Sequence, residues 1–189
     1  MIFSLQGKKV VITGGGSGIG RAISLLFAEQ GAEIHIFDLD NPVSAETKEA
    51  VQFISPTSKL HVVDITKPMS IDNAIKSIGS IDILINNAGI AQIGTLETTS
   101  EQDFQRIFDV NVKGAFHCMK AIIPGMVAQH KGVILNMASV ASTVGIPDRF
   151  GYSMSKGAIR TMTQSVAKDY LKKGIRCNCI SPARVHTPF

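Results

Sequence analysis

Short apolar runs alternate with longer amphipathic stretches along nearly the whole chain. The runs at 9–13, 33–37, 59–63, 81–86, 132–137 and 174–179 are rich in Val, Ile and Leu. Near-continuous apolar character is what parallel strands covered on both faces require. Stretches of helical period fall between them, at 19–29, 44–54, 70–77, 100–129 and 152–172. Gly31 and Gly174 stand where two of these helices should end, and Ser70 and Ser100 where two should begin as N-caps. Strand–helix alternation throughout predicts an α/β fold: a Rossmann-type doubly wound parallel sheet, built as one domain. The helices at 100–129 and 152–172 carry apolar residues beyond one stripe, namely Phe116, Met119, Ile122 and Ile123, then Ile159, Met162 and Val166. Extra apolar area of this kind predicts a face for a partner.

Composition narrows the class. With 189 residues, 44% hydrophobic and 18% charged, the chain suits one globular domain rather than a disordered segment. A net charge of +4 is spread without a basic run, so the footprint of a nucleic-acid binder is missing. No apolar stretch approaches the ~20 residues of a membrane span, and the N-terminus lacks the order of a signal peptide. Cys118, Cys177 and Cys179 form no pairing pattern, which fits a cytoplasmic setting. A Cys-x-Cys metal pair is the alternative for the last two, but no Cys/His cluster accompanies it, and no metal is expected.

Three features carry chemistry. The first strand runs into Thr13-Gly14-Gly15-Gly16-Ser17-Gly18-Ile19-Gly20, and a helix follows at once. Glycines there allow a tight turn and bring backbone N–H groups to a pyrophosphate at the helix start. A flexible turn explains such a string equally well, except that this one lies between a strand and a helix. Asp38 closes the second strand, where a carboxylate accepts hydrogen bonds from an adenosine ribose and repels a 2′-phosphate. With Leu39 beside it the pattern favours NAD over NADP; the plainer reading of Asp38 is a loop-starting residue. Tyr152 and Lys156 are four residues apart on one helix face. A free phenol titrates near ~10, and a neighbouring ammonium stabilises its phenolate. Ser139 follows the fifth strand, at the sheet edge where such folds bind ligands.

Taken together, the motifs identify a resemblance to short-chain dehydrogenases/reductases. They are the glycine string, Asp64, Asn86-Asn-Ala-Gly89, Asn111, Ser139, Tyr152-Ser-Met-Ser-Lys156 and Ser181-Pro-Ala-Arg-Val-His-Thr-Pro188, in the family's order. The resemblance implies an NAD(P)-dependent oxidoreductase acting on CH–OH groups, with Tyr152 as general acid/base. Lys156 would hold the nicotinamide ribose and the phenolate, Ser139 the reacting oxygen, and Asn111 a water relay to Lys156. Gly14, Ser17, Gly18, Ile19 and Gly20 would cradle the cofactor phosphates, with Asp64 and Ile65 beside the adenine. Asn87, Ala88 and Gly89 would line the cofactor, and Pro182, Val185 and Thr187 its nicotinamide side. Homodimers or homotetramers are common in the family.

The segment 139–152, with 167–170 and 174–179, is similar to cytosolic 3-hydroxybutyrate dehydrogenases and to 2-keto-3-deoxy sugar-acid dehydrogenases. In that group an arginine three before the tyrosine is associated with the substrate carboxylate, which maps to Arg149. A surface arginine is the alternative. The usual Pro-Gly is replaced by Pro182-Ala183-Arg184, so Arg184 is a second candidate for an anionic substrate, or a contact to pyrophosphate or solvent. The resemblance further implies some 60 more residues beyond those given, so that the chain is C-terminally incomplete, with a substrate lid beginning after Thr187. A 3-oxoacyl-carrier-protein reductase is the competing activity. A non-catalytic nucleotide-binding or scaffold protein is the competing class, and the trio Ser139, Tyr152 and Lys156 speaks against it.

Overall fold

The computed structural model describes residues 3–187. Its frame is a six-stranded, wholly parallel sheet in the order β3-β2-β1-β4-β5-β6. The strands are β1 (Lys9–Thr13), β2 (Glu33–Asp38), β3 (Lys59–Val62), β4 (Ile83–Asn86), β5 (Gly132–Met137) and β6 (Ile175–Ile180). β1 and β4 are adjacent although two strands separate them in sequence, so the chain reverses its direction of travel across the sheet between them. A crevice opens there at the carboxyl ends of the strands, the usual ligand position in doubly wound sheets.

Helices cover both faces. Val10, Ile12, Ile34, Ile36, Ile83 and Ile85 point to one side and pack against α1 (Gly18–Glu29) and α2 (Pro42–Ile54) through Ala28 and Val51. The alternate residues Val11, Phe37, Leu84, Ile134 and Cys177 point to the other. They meet α3 (Pro68–Ile78) through Ile71 and α5 (Gly114–Ala128) through Cys118, Ile122 and Met126. α6 (Phe150–Tyr170) joins that layer, with Ile159 buried. The period-two alternation of each strand therefore serves two cores at once.

Three sequence expectations are corrected. The stretch 100–129 is not one α-helix: α4 (Glu101–Ile107) passes through a π-helical turn, Phe108–Lys113, before α5 begins. Ser100 does cap α4, accepting from the Asp103 N–H at 3.1 Å. Ser70 caps nothing. Pro68 opens α3 two residues earlier than expected, and the Ser70 hydroxyl instead accepts from the Asp64 N–H at 3.2 Å. The apolar surplus on α5 and α6 is also mostly internal. Met119, Ile122 and Ile159 are buried, Ile123, Met162 and Val166 pack on the core, and Phe116 alone of that set is 45% exposed.

Candidate active site

The glycine turn after β1 is held from three sides. Thr13 Oγ1 accepts the Asn87 and Ala88 N–H groups at 3.1 and 3.0 Å, and Asn87 Nδ2 donates to the Gly14 carbonyl at 2.9 Å. These bonds strap the loop after β4 onto the loop after β1. On the outer side the Gly16 N–H donates to Asp38 Oδ2 at 2.9 Å, and Thr47 Oγ1 donates to the Gly16 carbonyl at 2.6 Å. Asp38 Oδ1 accepts the Leu39 N–H at 2.8 Å. Space, as well as hydrogen bonding, forces glycine here. Gly14 has φ +60°, and a Cβ on it would lie 2.9 Å from Ala88 Cα. A Cβ on Gly20 would strike the Gly14 carbonyl oxygen. The Ser17 N-cap of α1 makes no side-chain bond, which leaves the helix-start N–H groups for an anion.

From this turn a cleft of about 1260 Å³ runs along the carboxyl edge of the sheet. Gly14, Ser17, Gly18, Ile19, Asp38, Asp64 and Ile65 wall one half. Asn87, Ala88 and Gly89 form its floor; Ser139, Tyr152, Lys156, Pro182, Arg184, Val185 and Thr187 wall the other half, with Arg149 at its margin. Two expected site residues stand behind the wall rather than on it. Gly20 packs under the turn, and Asn111 is buried beneath the loop after β4. Pro188 lies outside the described residues, as does the segment expected to open a lid.

The second half of the cleft brings together Ser139, Tyr152 and Lys156. Lys156 is only 6% exposed; its Nζ donates to the Met137 carbonyl at 2.6 Å and sits 5.7 Å from the centre of the Tyr152 ring. Burial pulls its pKa down from 10.5 to about 8. Ser139, also buried, starts the short 3₁₀ turn Val140–Ser142, and its Oγ accepts the Ala141 N–H at 3.2 Å. One lone pair and the hydroxyl proton remain for a substrate oxygen.

Buried amides fix these side chains. Asn86 Nδ2 donates to Asn136 Oδ1 across the β4–β5 pair at 2.9 Å, and Asn136 Nδ2 donates to Thr163 Oγ1 on α6 at 2.9 Å. Asn111 Oδ1 accepts the Ile90 N–H at 2.8 Å, while its Nδ2 donates to the Ile90 carbonyl at 2.9 Å and to Ser155 Oγ at 3.0 Å. Ser155 Oγ in turn donates to the Tyr152 carbonyl at 2.7 Å. Asn111 thus braces the tyrosine's helix turn, and its hydrogen bonds run to Ile90 and Ser155 rather than to Lys156. The π-turn presents this asparagine inward, in keeping with π-turns elsewhere at functional sites. Thr13, Asn136, Ser155 and Thr163 escaped the sequence reading. Their only signal was a polar residue inside an apolar run or beside a motif.

Arg149 is half-buried at the start of α6, positioned by a short bridge between Gly94 and Arg149. The Asp148 carbonyl accepts both the Gly94 N–H and Arg149 Nη1 at 3.0 Å, and Asp148 itself adopts φ +56°. Among the described residues no carboxylate lies within ion-pairing distance of Arg149 or Arg184. Both cations therefore line the cleft with no carboxylate partner among the described residues. Space at the glycine turn, open helix-start amides and an acidic strand end fit a dinucleotide along the whole cleft.

An oxidoreductase of the doubly wound class is what this combination of fold and site defines. The chain belongs to the short-chain dehydrogenase family, whose pattern it matches over residues 8–189. It is 40% identical to dehydrogenase/reductase SDR family member 6 of Xenopus laevis, over 97% of this chain and 74% of that protein. It is 36% identical to the 2-keto-3-deoxy-L-fuconate dehydrogenase of Xanthomonas campestris, over 97% of this chain and 60% of that one. The crystal structure of an NAD⁺-bound xylitol dehydrogenase superposes with a TM-score of 0.92 at 34% identity, covering 96% of this chain and 72% of that one. The chain is accordingly a dehydrogenase/reductase acting on CH–OH groups with a nicotinamide cofactor.

Proposed function

We propose that this chain is an NAD-dependent dehydrogenase interconverting a secondary alcohol and a ketone on a small hydroxy acid or sugar acid. The observation that carries it is the buried Lys156 ammonium over the Tyr152 ring, beside Ser139 at the carboxyl edge of the sheet. In the oxidative direction Ser139 donates a hydrogen bond to the substrate oxygen. Tyr152, as phenolate, takes the hydroxyl proton while the Lys156 charge stabilises the anion before that transfer. Asn111 holds the helix turn that carries the tyrosine, and in this reading it supports a water relay that recharges Lys156. A bound nicotinamide supplies the carbon that accepts the hydride.

Asp38 supports NAD. Its carboxylate faces the glycine turn, and exposed Leu39 offers no cation to a 2′-phosphate. Arg149 and Arg184, both without carboxylate partners, support an anionic substrate, and the name of the Xanthomonas relative is that of a sugar acid. A homodimer or homotetramer and a cytoplasmic location belong to the same reading.

Steady-state kinetics with NADH and NADPH on a panel of oxo acids and uncharged ketones tests it. NADH should be preferred; Tyr152→Phe should lower kcat at least a hundredfold with NAD binding retained. Arg149→Met should raise KM for the acids about tenfold and leave the uncharged ketones unchanged. Near-normal turnover by the phenylalanine variant would sink the mechanism, and a clear NADPH preference would sink the role of Asp38.

A further inference from the structure

The cleft does not end at Asp64 and Ile65. Beyond them Thr66, Arg106 and Val110 line it, and the same three residues wall a shallower depression of about 440 Å³ with Gln102, Gln105 and Asp109. Arg106 sits where the two spaces meet, on the last turn of α4. Its acidic neighbour is engaged elsewhere. Asp109 Oδ1 accepts Gln105 Nε2 and Lys113 Nζ, each at 2.8 Å. Among the described residues Arg106 has neither an ion pair nor a side-chain hydrogen bond, and it is exposed.

The wall around it is suited to a flat, nitrogen-rich ring. Ile65 and Val110 offer apolar faces, and Asp64 offers a carboxylate. Asp64 Oδ1 already accepts the Thr66 N–H at 2.9 Å and Thr66 Oγ1 at 2.7 Å, which fixes the carboxylate's orientation. Such a pocket has an acceptor for an exocyclic amine, and Arg106 adds a side-chain donor at its outer edge for ring nitrogens. A guanidinium is planar, always charged, and able both to stack on a π-face and to donate to a ring nitrogen.

We infer that Arg106 is a specificity residue for the purine of the cofactor, closing the outer edge of the base opposite Asp64. The inference rests on the dinucleotide reading of the cleft. It adds that recognition of the base is shared by an acid and a base on different elements, the loop after β3 and α4. The arginine does no chemistry, so its loss should act on binding alone.

Calorimetric titration of the whole chain with ADP-ribose, adenosine and nicotinamide mononucleotide tests this. Arg106→Ala should weaken ADP-ribose and the uncharged adenosine by a common factor of about three to ten, and leave nicotinamide mononucleotide unchanged. Gln102→Ala, on the far wall of the depression, should change none of them. Loss for ADP-ribose without loss for adenosine would reduce Arg106 to a distant charge attracting pyrophosphate and would overturn the inference. Unchanged binding of ADP-ribose by Arg106→Ala would overturn it as well. Failure of the unaltered chain to bind ADP-ribose would instead overturn the dinucleotide reading on which it stands.

Discussion

On the proposed mechanism, Lys156 places function and stability in opposition within one side chain. Its ammonium is buried and, among the described residues, carries a single hydrogen bond, to the Met137 carbonyl. A folded-state pKa of about 8 against 10.5 means that the unfolded chain binds the proton more tightly. Below about pH 8 the charged group costs folding free energy, and that cost is relieved as pH rises towards 10.5. Lys156→Met should therefore unfold later than the parent at pH 7, by about 1–3 kcal/mol, while losing turnover. The advantage should shrink in melts taken between pH 8 and 10; a variant that melts lower at every pH would refute this account. The motif made Tyr152 and Lys156 legible in the sequence because four-residue spacing fixes a shared helix face. The bracing by Asn136, Ser155 and Thr163 was not legible, since it joins positions 27 to 50 residues apart through single polar atoms.

At the scale of elements, the glycine turn and α1 form one unit whose geometry leaves no room for a side chain at Gly20. Gly20→Ala should drive the Cβ into the Gly14 carbonyl and displace the turn. Dinucleotide affinity should fall at least tenfold and stability by about 2–4 kcal/mol, read by titration and by denaturant unfolding. Retention of both would show that the turn moves freely. The six strands were readable because each is a compact β-branched run, and their ends agree with the structure to within two residues. The break after α4 was not readable, because buried positions recur every four residues through Ile107 and Asn111 to Ala115 and mimic an ordinary amphipathic helix. Ser70 misled for a related reason: proline at the first helical position outranked a serine as the starting signal.

Across the molecule, resistance to acid depends on the half of the sheet farthest from the chemistry. His35 on β2 lies against His61 on β3, with ring nitrogens 3.0 Å apart, and against Glu33 at 2.9 Å. Burial, then the neighbouring His61, takes the His35 pKa from 6.5 to about 4; burial lowers His61 too. Both rings are thus neutral in the folded chain at pH 7, and the unfolded chain takes up protons first as pH falls. Stability present above pH 6.5 should drain away between 6.5 and about 4. His35→Gln should flatten that decline in melts across the window. An equally steep decline in the variant would assign acid sensitivity to other groups. Neither histidine stood out in the sequence, because β2 and β3 bring them together only through parallel register.

The π-helical turn at Phe108–Lys113 constrains the chain's length as well as its shape. A π-turn holds one residue more than the α-turn it replaces, and each residue of an α-helix advances it by about 100°. α4 carries Arg106 to one end of the cleft, while α5 is committed to the central core through Cys118 and Met126. The two helices keep their phase only because the turn between them has a surplus member. Substitutions along that turn can be absorbed one contact at a time, whereas a single deletion would gear the two helices a quarter-turn apart. Either Asn111 would leave Ser155 or the core face of α5 would turn to solvent, so the count of residues there is as much a determinant of activity as their identity.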